Sequence, residues 1–249
     1  MSTRATAHLI GCLNNPRLRH TPNGYPVLEL TLAGDAPTPD GAKTLPYYVG
    51  VTVLGKYATF LEPVLKEGAP TSVLGDLHQD RWTDQNGQQR SVTRLTAHSL
   101  VMLDGPHQTR EDARGQKRLI GARNEILIVG NLTRDTETRR TPNGHLITRL
   151  SLATNTRRGS GETTNYFTAT AWHQLAARAS DLHKGDLILL EGRITNENWL
   201  DAKGNRRYTC RIDTSRIDPI HRPTKANEPI LRTDHQEPQD PQEHGKAIN

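Results

Sequence analysis

The amino-acid sequence predicts an all-β protein of two tandem five-stranded barrels, each with one short helix, followed by a disordered C-terminal tail. Two observations lead to this prediction. The chain repeats itself, because RHTPNG at residues 19–24 returns as RRTPNG at residues 139–144, and RWTD at residues 81–84 returns as NWLD at residues 198–201. Short segments rich in β-branched and aliphatic residues fill both copies, and Gly, Pro and Asn separate them, which is typical of strands and turns.

The repeat divides the chain into two domains. The copies are offset by 120 residues at the first pair of motifs and by 117 at the second, too long for a solenoid, whose repeats run to roughly 20–50 residues. A chain of 249 residues accommodates two domains of about 100 residues each. We predict an N-terminal domain at residues 1–104, a linker at 105–123, a C-terminal domain at 124–220 and a disordered tail at 221–249, where periodic apolar residues are scarce.

The order of elements within one copy predicts the type of barrel. In the second copy, residues 174–183 have helical apolar spacing, and the matching segment at 57–66 contains Pro63, which shortens that helix. Five strands with a helix between the third and fourth is the order of an OB-fold barrel. The strands are predicted at residues 125–132, 146–154, 164–172, 186–199 and 206–217.

Composition narrows the function classes. The formal charge of +5 and the pI of about 9.4 permit a polyanionic partner without requiring one. Because no apolar run approaches the ~20 residues of a membrane span, and residues 1–7 lack signal-peptide order, we expect a soluble, cytoplasmic protein without a membrane partner. Cys12 and Cys210 lack zinc-site spacing and are interpreted as small buried hydrophobes.

No catalytic motif is found in the sequence. P-loop, HExxH and GxSxG patterns are missing, so we expect no enzymatic activity, no cofactor and no metal site. His173, next to Trp172, is interpreted as a surface or ligand-edge residue. A catalytic triad whose residues are far apart in the sequence and meet only in the folded protein remains an alternative at this point.

The third strand of the second copy predicts a surface for stacking. Phe167, Ala169 and Ala171 alternate with an outward set that contains Tyr166 and Trp172. Two large rings about 20 Å apart on a polar face suit nucleobases, and each stack contributes ~1–3 kcal/mol. The alternative is that Trp172 covers the end of the barrel or lies in a subunit contact.

In the first copy, Tyr48 lies outward on the corresponding strand, while Tyr47 lies on the inward, valine face and is expected in the core. Leu54 occupies the position of Trp172. Leucine has no π face, so we expect weaker stacking on the first barrel.

Two long hairpins carry further aromatic and basic residues. Trp82 and Trp199 lie where the hairpins overhang the barrels, so they either contact ligand or pack at the hairpin base. Arginines near the hairpin tips suit phosphates, or they serve as ordinary solvated protection of the strand edges. The candidate phosphate-contacting residues are Arg81, Arg90, Arg139, Arg140, Arg157, Arg158, Arg206, Arg207 and Lys56.

The motifs together resemble the bacterial single-stranded DNA-binding protein family, in its variant with two OB domains per chain. The resemblance covers about residues 5–103 and 124–218. In the second copy it is carried by IVGNL at 128–132, RTPNG at 140–144, LATN at 152–155, KGD at 184–186, EGR at 191–193, Trp199 and RYT at 207–209. In the first copy it is carried by IG at 10–11, TPNG at 21–24, LGK at 54–56 and WTD at 82–84.

The resemblance implies sequence-independent binding of single-stranded DNA, without catalysis, by a homodimer that presents four OB domains. It implies base stacking at the positions of Tyr48, Trp82, Tyr166, Trp172 and Trp199. Such a protein coats and protects DNA during replication, recombination and repair, and is nucleoid-associated. The chain ends in EHGKAIN and lacks the acidic tip with which family members recruit replication and repair proteins. The alternatives are an OB-fold scaffold for protein interactions and an RNA-binding paralogue.

Overall fold

The computed structural model describes residues 2–38, 41–83, 87, 89–158, 161–200 and 206–222. Residues 89–90, 157–158, 197–200 and 206–209 are described by their backbone alone. The predicted tail falls mainly at residues 223–249, outside the described residues. Strand β13 extends to His221, one residue into that predicted tail.

The N-terminal domain is a closed five-stranded barrel with one helix. The order β2–β3–β5–β4–β1 closes because β1 also pairs with β2, and the β3–β5 pairing is parallel. A register shift between Asn14 and Arg17 separates two stretches of β1. Its elements are β1 Arg4–His20, β2 Pro26–Pro37, β3 Thr44–Leu54, α1 Lys56–Leu61, β4 Pro70–Thr83 and β5 Gln89–Met102.

The C-terminal domain repeats this architecture. The order β8–β12–β13–β11–β10 closes through the pairing of β8 with β10, and β11 runs parallel to β13. Both barrels confirm the predicted fold class. The elements are β8 Arg123–Leu132, β9 Glu137–Arg140, β10 Leu146–Arg158, β11 Gly161–Trp172, α2 His173–Ala179, β12 Leu187–Leu200 and β13 Arg206–His221.

Both helices are shorter than predicted. Helix α1 ends at Leu61, two residues before Pro63, in agreement with the missing backbone donor of proline. Helix α2 ends at Ala179. The hydroxyl of Thr136 lies within hydrogen-bonding distance of the Ala179 and Leu182 carbonyl oxygens and so stabilises the turn that follows the helix.

The two barrels share a strand pairing that the sequence did not predict. Residues 4–10 of β1 pair antiparallel with residues 123–129 of β8. The thirteen strands found among the described residues therefore form one continuous sheet. The relative position of the barrels is set by backbone hydrogen bonds and not by a flexible connection.

The segment predicted as a linker, residues 105–123, contains a folded hairpin. Strands β6 Thr109–Glu111 and β7 Lys117–Ile120 pair with each other, and β7 pairs parallel with β2 through Leu119 and Gly34. Leu119 is buried, and Arg118 forms a 2.7 Å ion pair with buried Asp35. The sequence did not reveal this hairpin because only one or two apolar residues anchor it. The domain boundaries stay a prediction.

The core follows the alternation of the strands. Tyr47 is fully buried, as predicted, and its hydroxyl lies 2.8 Å from the Ile10 carbonyl oxygen and 3.1 Å from that of Arg123. Cys12 is buried and Cys210 is half-buried, and both are free thiols. Burial raises the pKa of each thiol to about 11.

Two further observations concern the described part of the chain. No helix in it is long and apolar enough to span a bilayer. No group of three or more His, Cys, Asp or Glu side chains within it is placed to hold a metal ion.

Candidate nucleic-acid interface

Strand β11 presents two aromatic rings on the outside of the C-terminal barrel. Phe167, Ala169 and Ala171 are buried, while Tyr166 is 44% exposed and Trp172 is 39% exposed. This confirms the predicted alternation. Because a strand places alternate side chains on opposite faces, both rings lie on the same outer surface, where a planar ligand can reach them.

The orientation of Trp172 is fixed by a partly buried ion pair. Its indole nitrogen Nε1 donates to Asp213 Oδ1 at 2.7 Å, and Arg193 Nη2 donates to Asp213 Oδ2 at 2.8 Å. Asp213 lies on β13, directly beside Thr170 of β11. The sequence did not predict this contact, because the three side chains come from three different strands.

Removal of Asp213 is expected to destabilise the protein. The side chain of Arg193 is only 9% exposed and that of Asp213 is 27% exposed, so Asp213→Ala leaves a guanidinium without its counter-charge. Breaking a fully buried pair costs about 3–5 kcal/mol; because Asp213 is partly solvated, we expect about 2–3 kcal/mol. Urea unfolding measures this change. A double Asp213→Ala, Arg193→Met variant is the control and recovers most of the loss, whereas equal stability of the single variant and the unaltered chain would contradict the assignment.

Arginines lie beside the two rings on the same face. Arg149 of β10 is opposite Thr170, and Arg134 donates through Nε to Ser151 at 2.8 Å. Arg149 forms no ion pair with any residue that the structure describes. Sequence reasoning missed both arginines, although Arg149 alternates with buried Leu150 and was identifiable as outward-facing from that pattern.

The predicted pair Arg139 and Arg140 lies on the short edge strand β9 and is exposed. Arg139 of β9 and Trp172 of β11 both pair with Ile147 of β10, which lies between them. Their backbones are therefore about 10 Å apart. Arg140 donates to the Gly144 carbonyl at 3.0 Å and so braces the Thr-Pro-Asn-Gly turn. The structure therefore places Arg139 near Trp172 and gives Arg140 a local partner.

The ring of Tyr166 contacts an arginine of the other barrel. The guanidinium carbon of Arg81, on β4, lies 4.6 Å from the centroid of the Tyr166 ring, within the range of a cation–π interaction. The backbone nitrogen of Gln79 also donates to Asn165 Oδ1 at 2.9 Å. The hairpin stem of the N-terminal barrel thus contributes to the outer face of the C-terminal barrel.

The reverse contact is also present. Asn196 of β12 accepts from the backbone nitrogen of Tyr48 at 2.8 Å and donates to the Tyr48 carbonyl at 3.1 Å. Gln79 and Asn196 occupy equivalent positions in the two repeats. Each hairpin stem, formed by the fourth and fifth strands of one barrel, therefore contacts the third strand of the other barrel. The sequence had predicted that each hairpin overhangs its own barrel.

The N-terminal barrel carries a different arrangement of charges on its face. Glu29 and Asp35 occupy the positions of Arg149 and Asn155 in the repeat. Glu29 pairs with Arg19 at 2.9 Å, and this hydrogen bond lowers the pKa of the Glu29 carboxyl. Arg17 lies opposite Glu29 on this barrel, and Glu137 lies opposite Arg149 on the other, so the two barrels exchange the positions of one positive and one negative charge.

The remaining predicted residues of this barrel differ in accessibility. Tyr48 is half-buried and donates its hydroxyl to Asp112 Oδ2 at 2.8 Å. Burial, with this hydrogen bond second, raises the pKa of Tyr48 to about 12. Trp82 is 48% exposed on the hairpin stem, and Lys56 is exposed at the start of α1.

Six predicted side chains lie outside the described residues, although their backbones lie in strands. They are those of Arg90, Arg157, Arg158, Trp199, Arg206 and Arg207. Their assignment to the interface stays a prediction.

Comparison with known proteins identifies the family. The model of the single-strand binding protein family matches residues 5–103 and 123–220. The chain belongs to the single-strand binding protein family. Both matches coincide with the two barrels, so this family member carries the family's domain twice.

Relatives of this family member are similar over most of its length. The single-stranded DNA-binding protein of Thermus aquaticus is 39% identical over 225 residues, which cover 88% of this chain and 84% of the relative. That of Deinococcus radiodurans is 38% identical, with coverage of 86% and 75%. The crystal structure of the wild-type protein from Thermus aquaticus has a TM-score of 0.72 at 31% identity and covers 91% of this chain and 98% of that chain.

Proposed function

We propose that this protein binds single-stranded DNA without sequence preference, and coats and protects it during replication, recombination and repair. The observation that carries the proposal is the outer face of β10 and β11, where the exposed rings of Tyr166 and Trp172 are flanked by arginines. Membership of the single-strand binding protein family supports it.

The arrangement explains how DNA is bound regardless of sequence. Every base has a π face, so rings that stack on bases do not distinguish one base from another. Phosphates are contacted by guanidinium groups, which carry no sequence information. The described arginines on or beside this face are Arg81, Arg134, Arg139 and Arg149. We propose the same contact with phosphates for four arginines that the sequence predicted at the loop and the hairpin, namely Arg157, Arg158, Arg206 and Arg207.

We further propose that two copies associate, so that four OB domains act together. The strands β4, β1, β8 and β12 form one continuous stretch of sheet. Leu74 is 49% exposed and Leu127 is 40% exposed on it, and both line the same groove. An exposed apolar patch on the face of a sheet suits a self-complementary contact around a two-fold axis. Light scattering of the full chain at micromolar concentration is expected to give twice the monomer mass.

Titration with oligo-dT tests the proposed function. We expect quenching of tryptophan fluorescence when bases stack on Trp172. The logarithm of the binding constant falls linearly with the logarithm of the salt concentration, with a slope of about −0.7 per phosphate neutralised. If the four described arginines each neutralise one phosphate, the slope is about −3 or steeper.

Homopolymers separate the alternatives to single-stranded DNA binding. Oligo-dT and oligo-dC should bind with similar affinity, and tighter binding of oligo-rU would favour an RNA-binding paralogue. An unchanged fluorescence signal with every homopolymer would contradict nucleic-acid binding and favour the protein scaffold.

A further inference from the structure

Two equivalent tyrosines are contacted by groups of opposite charge. Tyr48 and Tyr166 occupy the same place on the third strand of their barrels. The ring of Tyr166 lies 4.6 Å from the guanidinium carbon of Arg81, whereas the hydroxyl of Tyr48 donates to the Asp112 carboxylate at 2.8 Å. A nucleic acid that approaches Tyr166 therefore meets a guanidinium at the ring. At Tyr48 it meets a carboxylate bonded to the hydroxyl, in a turn that also carries Arg114.

Asp112 is held firmly in the turn of the β6–β7 hairpin. Its Oδ1 accepts from the backbone nitrogens of Arg114 at 2.8 Å and Gln116 at 3.0 Å. This leaves Oδ2 for the hydroxyl of Tyr48. The hydrogen bonds within the turn therefore fix the orientation of the Asp112 carboxylate.

The base of the same hairpin is anchored to the N-terminal barrel. Arg118 pairs with Asp35 at 2.7 Å, and the backbone nitrogen of Lys117 donates to Asn14 Oδ1 at 2.9 Å. Leu119 is buried beside Gly34 of β2. The hairpin therefore stays on this barrel while its tip projects over β3.

A hollow separates the hairpin tip from the sheet. The cavity has a volume of about 480 Å³, and its lining includes Tyr48, Asp112, Arg114 and Asn196. Tyr48 and Asp112, which are joined by their hydrogen bond, both line it. Breaking that bond frees the outward side of β3 without dismantling the base of the hairpin.

We propose that Asp112 determines which barrel a single strand of DNA occupies. Bonded to Tyr48, its carboxylate repels phosphates and keeps bases off the third strand of the N-terminal barrel. The C-terminal barrel, where Tyr166 is contacted by the Arg81 guanidinium and not by a carboxylate, is then the tighter site. This inference rests on the proposed binding of single-stranded DNA and goes beyond it by ranking the two barrels.

The test uses the full chain with the C-terminal rings removed. In a Tyr166→Ala, Trp172→Ala background, the remaining affinity for oligo-dT, measured by fluorescence anisotropy, reports the N-terminal barrel. Tyr48→Phe keeps the ring and removes the hydroxyl that Asp112 holds. Asp112→Asn keeps the Oδ1 acceptor of the turn and removes the charge. Each change is expected to raise the remaining affinity at least threefold.

Glu111→Gln is the matched control, because Glu111 is exposed and adjacent, and its replacement removes the same charge without touching Tyr48. It is expected to raise the affinity less than twofold. The inference is overturned if either Tyr48→Phe or Asp112→Asn leaves the affinity within twofold of the background, or if Glu111→Gln gives an equal gain. Failure of the unaltered chain to bind oligo-dT would overturn the proposed function as well, so the two failures are distinguishable.

Discussion

Replacement of both Tyr166 and Trp172 by alanine is expected to weaken binding of oligo-dT by about 2–6 kcal/mol, since each stack of a base on a ring contributes about 1–3 kcal/mol. Both rings are accessible on the outer face of β11, so their loss removes contact with DNA and not packing of the core. Fluorescence anisotropy with a labelled oligonucleotide measures the change.

A control variant distinguishes stacking on this face from a general effect of exposed rings. Phe60 is 70% exposed on α1, outside the outer face of β10 and β11, so Phe60→Ala is expected to bind oligo-dT as the unaltered chain does. Retention of full affinity by the double variant, or an equal loss in Phe60→Ala, would rule out the assignment of the stacking surface. Circular dichroism of each variant checks that the barrels are intact.

The second large effect is expected at Tyr47, where the barrels meet. Tyr47→Ala should lower the free energy of unfolding by about 3–5 kcal/mol, the cost of truncating a large buried ring. The ring is fully buried, and its hydroxyl faces carbonyl oxygens of both Ile10 in β1 and Arg123 in β8. The loss therefore affects both barrels, and chemical denaturation should show one transition at lower denaturant concentration.

Smaller changes separate the contribution of the Tyr47 hydroxyl from that of the ring. Tyr47→Phe keeps the ring and leaves two carbonyl oxygens without this donor, so it should cost about 1–3 kcal/mol. Tyr25 is 51% exposed, and Tyr25→Phe is the control with no expected change. If Tyr47→Phe were as stable as the unaltered chain, the hydroxyl would have no part in joining the barrels.

The fold within each barrel was predictable from the sequence because its signals are local. Alternation of Phe167, Ala169 and Ala171 with polar residues is a property of one strand, and burial of the first set follows from it. Pro63 likewise indicates the end of α1 from the chemistry of one residue. The family resemblance added the expectation that the ligand is single-stranded DNA and that a homodimer presents four OB domains.

The contacts between the barrels were not predictable in the same way. Nothing in residues 4–10 indicates that one edge of β1 pairs with β8, because backbone hydrogen bonds have no side-chain signature. The contact of Arg81 with Tyr166 joins residues 85 positions apart on different strands. Arg81 and Tyr166 were predicted separately, as a phosphate contact and a stacking ring, and the structure brings them together.

The pairing of β1 with β8 has a consequence for dissecting this protein. Within residues 6–10, β1 has β4 on one side and β8 on the other, so a single excised barrel leaves a row of amide and carbonyl groups facing water. Such an unprotected edge is a template for association with other chains. Truncated halves are therefore prone to aggregate, and biochemical comparison of the two proposed DNA-binding surfaces has to be made by point substitution in the intact chain.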